Sequence, residues 1–262
     1  MSLQGRGSSK QQIAKGELWG IVLAGGLGRR LGTTKPKQFL EVASHPILTW
    51  TLSSLLSCCS LDALLLVAAK GYEHLAEDIL GELELPLPPC KVLTGGDSRQ
   101  ESARIALSAL GEHCSRVIIH DGARPFVSKP LIDGIISAFA HERAVIPAVA
   151  ERNTLKKVGE GYEVIETLPR KGLWEVQTPQ AFFREDLDLA HSEALSRGVE
   201  GTDDASLLEA IGLKVTVVPG DQLNLKVTDK RDIFLMRAII EAAGLVPGED
   251  LSMNVEFEDF VS

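Results

Sequence analysis

Residues 21–40 read IVLAGGLGRRLGTTKPKQFL. An uninterrupted apolar run ends in Gly25, Gly26 and Gly28, and Arg29, Arg30, Lys35 and Lys37 follow within a few residues. An apolar run without polar alternation predicts a strand buried on both faces, as in a parallel sheet. A glycine turn at its carboxyl end lets backbone N–H groups approach phosphate oxygens. The cations behind the turn can then neutralise a triphosphate and the charge that develops in phosphoryl transfer. A tight turn with solvated basic residues is the plainer alternative. Two familiar glycine loops are excluded. A dinucleotide fingerprint starting at Gly26 and Gly28 needs a third glycine where the chain has Leu31, and no Gly-Lys-Ser/Thr run completes a Walker A loop. An NAD-dependent oxidoreductase is excluded with the fingerprint.

Working outward from that stretch, apolar strand-like runs alternate with helical spacing. The runs LDALLLVAA (61–69), CKVLTGG (90–96), RVIIHDGARP (116–125) and AVIPAVA (144–150) read as strands. Helical patterns separate them, including SRQESARIALSALGEH (98–113) and SKPLIDGIISAFAHE (128–142), where Ser128 is expected to cap. The alternation predicts an α/β fold: one mostly parallel, twisted, Rossmann-like nucleotide-binding sheet with helices on both faces. The rhythm breaks at NTLKKVGEGYEVIETLPR (153–170), where stretches 154–158 and 162–167 flank Gly-Glu-Gly and read as a hairpin. It is too short to be a domain and too hydrophilic to bury itself, which predicts a projecting β-arm over about 152–170. The domain is expected over 18–246, with an N-terminal stretch 1–17 that is disordered or foreign to the native chain and an acidic tail over 247–262.

The chain has 262 residues and a formal net charge of −9, from 27 Lys and Arg against 36 Asp and Glu. That balance argues against coating nucleic acid or an anionic membrane, while leaving room for a local cationic pocket. No apolar run reaches the length of a membrane span. Cys58, Cys59, Cys90 and Cys114 show no paired-ligand spacing, which predicts reduced thiols in a cytoplasmic protein.

Further stretches follow the glycine turn in order: GGDSRQES (95–102), HDGARP (120–125), NTLK (153–156), RKGLWEVQTPQ (170–180), TDDAS (202–206) and NLKVT (224–228). With LAGGLGRRL…PKQ, this series resembles the 2-C-methyl-D-erythritol 4-phosphate cytidylyltransferases of non-mevalonate isoprenoid synthesis, over about residues 18–243. The resemblance implies cytidylyl transfer from CTP to the polyol phosphate with release of pyrophosphate, assisted by Mg²⁺ or another divalent cation. It also implies a homodimer clasped by the β-arm, with active sites completed across subunits.

By the same resemblance, Arg30 and Lys37 stabilise the transition state, and Arg170 and Lys226 hold the attacking phosphate. The backbone near Ala24, Gly25, Gly26, Gly28, Gly96 and Asp97, with the Ser102 hydroxyl, forms the nucleotide pocket. Helix capping is the rival reading for Ser102. Asp121, Arg124, Thr154 and Thr178 match substrate-side positions, Thr154 and Arg124 being candidates to reach the neighbouring subunit. Asp121 ends a buried strand and could hold Mg²⁺, bind hydroxyls or cap a turn. His120 reads as a packed or hydrogen-bonded histidine rather than a catalyst. Asp203 and Asp204 read equally as groups that orient the lysines or bind substrate hydroxyls and as a solvated acidic turn. The chain departs from the family pattern at Gly122, usually Ala, and at Asn153, commonly Asp. Two alternatives stay open: a cytidylyltransferase for another polyol phosphate such as ribitol 5-phosphate, and a nucleotide-binding protein without turnover.

Overall fold

The computed structural model describes residues 16–26 and 35–249. In chain order the elements are β1 (Glu17–Ala24), a single 3₁₀ turn (Lys37–Phe39), β2 (Glu41–Val42), β3 (His45–Pro46), α1 (Ile47–Cys58), β4 (Ala63–Ala68), α2 (Glu73–Glu82), β5 (Cys90–Thr94) and α3 (Arg99–Ser108). There follow β6 (Cys114–Asp121), α4 (Lys129–Phe139), β7 (Ala144–Ala150), β8 (Leu155–Val158), β9 (Val164–Leu168), β10 (Trp174–Val176), β11 (Gln180–Phe183), α5 (Arg184–Arg197), α6 (Asp204–Ala210), β12 (Thr216–Pro219) and α7 (Lys230–Ala243).

The main sheet is mostly parallel. β1 lies inside it, parallel to β4 on one side and to β6 on the other, with Ile21 opposite Leu65 and Ile119. β5 extends the sheet beyond β4. On the other wing β11 runs antiparallel between β6 and β7. β10 continues antiparallel along the same side of β7, and β12 pairs parallel along its far side. The chain builds outward from β1 through β4 and β5, then returns to add β6 on the opposite flank. That reversal leaves a crevice beyond the carboxyl ends of β1 and β6, the place where open α/β sheets bind ligands.

Alternation along β4 shows why the strands are apolar throughout. Leu64 and Leu66 enter one core with Leu48, Leu52 and Leu55 of α1 and Ile132 and Ile135 of α4. Leu65 and Val67 enter the opposite core with Ala103 and Leu107 of α3 and Leu187 and Ala190 of α5. A smaller cluster joins Met236 and Ile240 of α7 to Trp50, Phe126 and Val227, seating α7 beside the loop that follows β6. Helix ends follow local chemistry. Ser98 caps α3 by accepting from Glu101 N–H, Asp229 and Asp232 form a capping box on α7, and α5 stops at Gly198 with φ +64°.

The expected arm is β8 and β9, a separate antiparallel ribbon. Its second strand begins at Val164, two residues after the stretch that was expected to start it, because Tyr162 takes φ +62° in the turn. β10, β11 and α6 are three, four and seven residues long and carry no period of their own, so the sequence pattern does not reveal them. Ser128 stands at the N-cap of α4, but its hydroxyl donates to the Asp221 carboxylate at 2.9 Å instead of capping. Among the described residues no helix is long and apolar enough to cross a membrane, and the four cysteines are free thiols.

Candidate active site

Two loops meet beyond β1. Gly25 packs so closely on the loop from β5 to α3 that a Cβ there would lie 3.2 Å from Ser102 Oγ. Ser102 sits inside α3, which Ser98 caps, so the capping role expected as its rival reading is corrected. The buried Ser102 hydroxyl accepts from Gly96 N–H at 3.1 Å and donates to the Ser98 carbonyl at 2.9 Å. Asp97 N–H donates to the Glu101 carboxylate at 2.7 Å. Ala24 is buried at the end of β1, and Gly26 is exposed; among the described residues only the Gln38 amide is near where a Cβ would stand. Gly28 and Arg30 lie outside the described residues.

The second half of the site begins at the end of β6. Gly122 N–H donates to the Leu23 carbonyl at 2.9 Å, and a Cβ at Gly122 would stand 3.1 Å from that oxygen and from Ala24 Cβ. Glycine thus allows the loop after β6 to lie directly against β1. Asp121 beside it faces a cavity of about 360 Å³ whose lining includes Arg99, Asp121, Arg124, Thr178, Glu209 and Lys226. Its carboxylate is the hub of three cations: Lys226 Nζ at 2.7 Å, Arg99 Nε at 3.3 Å and Arg124 Nε at 3.8 Å. Burial alone would raise the Asp121 pKa. Lys226 and Arg99 outweigh it and hold the carboxyl well below the usual range.

Arg99 was missed by the sequence reading, although it lies inside GGDSRQES. Besides Asp121 it binds Asp204 through Nη1 at 2.7 Å. Asp204, which read equally as part of a solvated acidic turn, is wholly buried at the start of α6 and also meets His191 Nε2 at 3.0 Å. Burial opposes the charge on both partners. The Asp204 and Asp121 carboxylates nevertheless raise the pKa of Arg99, and Arg99 with His191 lowers that of Asp204. Asp203 caps α6 and accepts from Gln180 Nε2 at 2.8 Å.

Arg124 is buried in the cavity wall of its own chain, donating to the carbonyls of Asn224 at 2.8 Å and Val176 at 3.4 Å. Burial lowers its pKa more than Asp121 raises it. Thr178 is buried as well, and its hydroxyl accepts from Asp121 N–H at 3.0 Å. His120 behind them is wholly buried, which pushes its pKa down to about 4 and keeps the ring neutral. The segment after β12 closes the site. Val227 N–H donates to the Ala123 carbonyl at 2.8 Å, and Lys37 Nζ donates to the Val227 carbonyl at 2.6 Å. Lys37, thirteen residues beyond β1, is thereby tethered next to Lys226. Thr154 and Arg170 stand apart, both exposed at the base of the arm, with Arg170 donating to the Arg152 carbonyl at 3.0 Å.

The expectation of a metal at Asp121 meets this charge arrangement. Both Asp121 oxygens already face cationic side chains, and no cluster of three His, Cys, Asp or Glu able to hold a metal occurs among the described residues. The donor set does not fit a divalent cation held by this chain alone.

A glycine turn at the switch point of a mostly parallel sheet, beside a cavity lined by lysine and arginine, defines a nucleotidyltransferase-type α/β protein. The family model described as IspD, 2-C-methyl-D-erythritol 4-phosphate cytidylyltransferase, matches residues 18–242. The chain belongs to that family. It is similar to the 2-C-methyl-D-erythritol 4-phosphate cytidylyltransferase of Alkaliphilus metalliredigens, 39% identical over 84% of this chain and 91% of that one. The enzyme of the same name from Syntrophus aciditrophicus is 38% identical over 84% and 94%. Among solved structures, the 4-diphosphocytidyl-2C-methyl-D-erythritol synthase of Anaerococcus prevotii superposes with a TM-score of 0.75 at 29% identity, covering 86% of this chain and 99% of the other.

Proposed function

We propose that this protein transfers the cytidylyl group of CTP to 2-C-methyl-D-erythritol 4-phosphate, giving 4-diphosphocytidyl-2-C-methyl-D-erythritol and pyrophosphate. The observation that carries the reading is the convergence of Lys226, Arg99 and Arg124 on Asp121 beside the Gly25 loop, within a chain of this family. An oxygen of the polyol phosphate attacks the α-phosphorus, the bond to the β-phosphate oxygen breaks, and pyrophosphate departs. The attacking monoester is already anionic near neutral pH, so no strong base is needed. The work is to bring two polyanions together and to stabilise the charge that builds up on the α-phosphoryl group.

In this reading the loops at 24–26 and 95–102 hold cytidine, and Gly28 is assigned to the same nucleotide. Arg30 and Lys37 are assigned to the triphosphate, and Lys226 leaves Asp121 to hold the incoming phosphate. Asp121, Arg124 and Thr178 receive the polyol. A divalent cation entering with the nucleotide would add charge neutralisation at its phosphates, while Asp121 is already compensated by side chains.

The arm supports a homodimer. A two-stranded ribbon is not stable alone, and this one exposes Val158, Tyr162, Val164 and Ile165. Covering this ribbon with a second copy would bring Thr154 and Arg170 to the partner's cavity. The acidic net charge supports neither a nucleic acid nor a membrane partner, and free thiols suit the cytoplasm.

The test is turnover of CTP with 2-C-methyl-D-erythritol 4-phosphate beside ribitol 5-phosphate. Higher kcat/KM for the methylerythritol substrate is expected, and a clear preference for ribitol phosphate overturns the substrate assignment. Thermal stabilisation by CTP without any by NAD separates the class from oxidoreductases.

A further inference from the structure

The hydrogen bonds behind the cavity wall can be counted donor by donor. His120 Nε2 lies 3.0 Å from the Arg124 carbonyl, which can only accept, so Nε2 carries the proton. The buried ring is neutral, so Nδ1 is an acceptor. Thr178 Oγ1 lies 2.9 Å from that Nδ1, and its hydroxyl proton is therefore committed to the imidazole. One lone pair of the same oxygen is taken by Asp121 N–H at 3.0 Å. A hydroxyl has one proton and two lone pairs. What remains at Thr178, a residue that lines the cavity, is a single acceptor position.

We propose that His120 is a positioning residue that fixes the polarity of the Thr178 hydroxyl, so that Thr178 accepts a hydrogen bond from a hydroxyl of the substrate and offers none. This corner of the cavity thus takes a polyol O–H and turns away a phosphoryl oxygen, which has no proton to give. Lys226 supplies the opposite preference across the cavity. The substrate is oriented by donor and acceptor complementarity, with its phosphate toward the lysine and a hydroxyl toward the threonine. The same imidazole holds the Arg124 backbone through Nε2–H, so one buried ring registers Asp121, Arg124 and Thr178 against each other. The inference rests on the polyol phosphate reading above.

Three measurements on the full chain test it. Long-range proton–nitrogen correlation on protein carrying isotope-labelled histidine reads the tautomer of His120, and a proton on Nε2 alone is expected. A proton on Nδ1 overturns the proposal. His120→Gln keeps an amide donor near the Nε2 position and removes the Nδ1 acceptor. Its KM for the polyol phosphate is expected to rise about five- to tenfold, with the KM for CTP little changed. Thr178→Val is expected to raise the same KM, and adding His120→Gln to it should raise it no further, because both changes remove one interaction. His120→Asn, which keeps an acceptor near the Nδ1 position, should raise KM less than His120→Gln even where it lowers Tm more. An unchanged KM in His120→Gln, or effects of the two residues that simply add, leaves His120 as core filling and overturns the proposal. If the wild-type protein does not use 2-C-methyl-D-erythritol 4-phosphate at all, the functional reading fails instead, and the tautomer measurement still decides the polarity of Thr178.

Discussion

Nζ of Lys226 lies 2.7 Å from Oδ2 of Asp121, while the other oxygen of that carboxylate accepts from Arg99 at 3.3 Å. The two cations differ in freedom. The Lys226 side chain is 39% exposed, whereas Arg99 is locked from behind by Asp204. Lys226 can swing to an arriving phosphate without leaving Asp121 unpaired, because Arg99 and Arg124 stay with it. The ion pair is a resting position for a mobile charge. Lys226→Ala is accordingly expected to lower turnover by about 10²-fold or more, as removal of an electrostatic stabiliser typically does. Its Tm should fall, but by less than loss of a fully buried partner would cost, because Arg99 and Arg124 still compensate the buried Asp121 carboxylate. Steady-state kinetics and a melting curve on the same preparation check both halves.

Lys37 is tied to the Val227 carbonyl at 2.6 Å, which places it beside Lys226 although 189 residues separate the two in the chain (226 − 37). Lys37→Ala should reduce kcat by roughly 10² while weakening CTP binding less, since its charge is needed most when negative charge develops on the α-phosphoryl group. Equal losses in turnover and in CTP affinity, measured by calorimetry, would assign it to ground-state binding instead.

Asp204 is buried between Arg99 and His191. Replacing it with alanine leaves Arg99 without its principal partner, and breaking a buried pair from one side costs about 3–5 kcal/mol. Asp204→Ala is expected to lower the denaturant midpoint clearly. It should also impair turnover in the molecules that remain folded, because Arg99 then loses its hold on Asp121.

The pH dependence of stability follows from two kinds of buried group. His120 has a folded pKa of about 4, below the ordinary value near 6.5. Between those values the unfolded chain takes a proton that the folded one refuses, so stability falls as pH drops from about 6.5 to 4, by about 3 kcal/mol. Asp121 and Asp204 have depressed pKa values, so their contribution is complete above the ordinary carboxylate range and is lost as pH falls below about 4. Denaturant titrations across pH 7 to 3 should show the decline starting above pH 4. In His120→Gln the upper part of that slope should flatten.

The arm carries Val164 and Ile165 on an exposed ribbon, both more than half accessible. Ile165→Asp is expected to give a monomer by sedimentation and to abolish most activity, with the sheet still folded by circular dichroism. Mixing Arg170→Ala with Lys226→Ala should restore activity that neither has alone, provided that each site draws Arg170 from one subunit and Lys226 from the other. Mixtures as inactive as their components would place all cations of a site in one chain.

Some of this architecture was legible from the primary structure and some was not. β1 and β4 were plain because strands buried on both faces must be apolar at every position, as Leu64 to Val67 are. The arm was legible because two β-leaning stretches around Gly-Glu-Gly had too few apolar residues to bury themselves. β11 was not, since Gln180–Phe183 is too short to carry a period, and it is held in place by β6 and β7 on either side.

The sequence by itself determined the α/β class, the glycine turn and the family, because these rest on residue types in a fixed order along the chain. The tertiary structure alone decided which charges meet. Arg99, Asp121, Asp204 and Lys226 come from segments that share no local pattern, and a carboxylate's partner is set by distances of a few ångströms in the fold. It also decided the polarity of Thr178, because the direction of its hydroxyl depends on a histidine 58 residues away whose own proton is fixed by a backbone carbonyl.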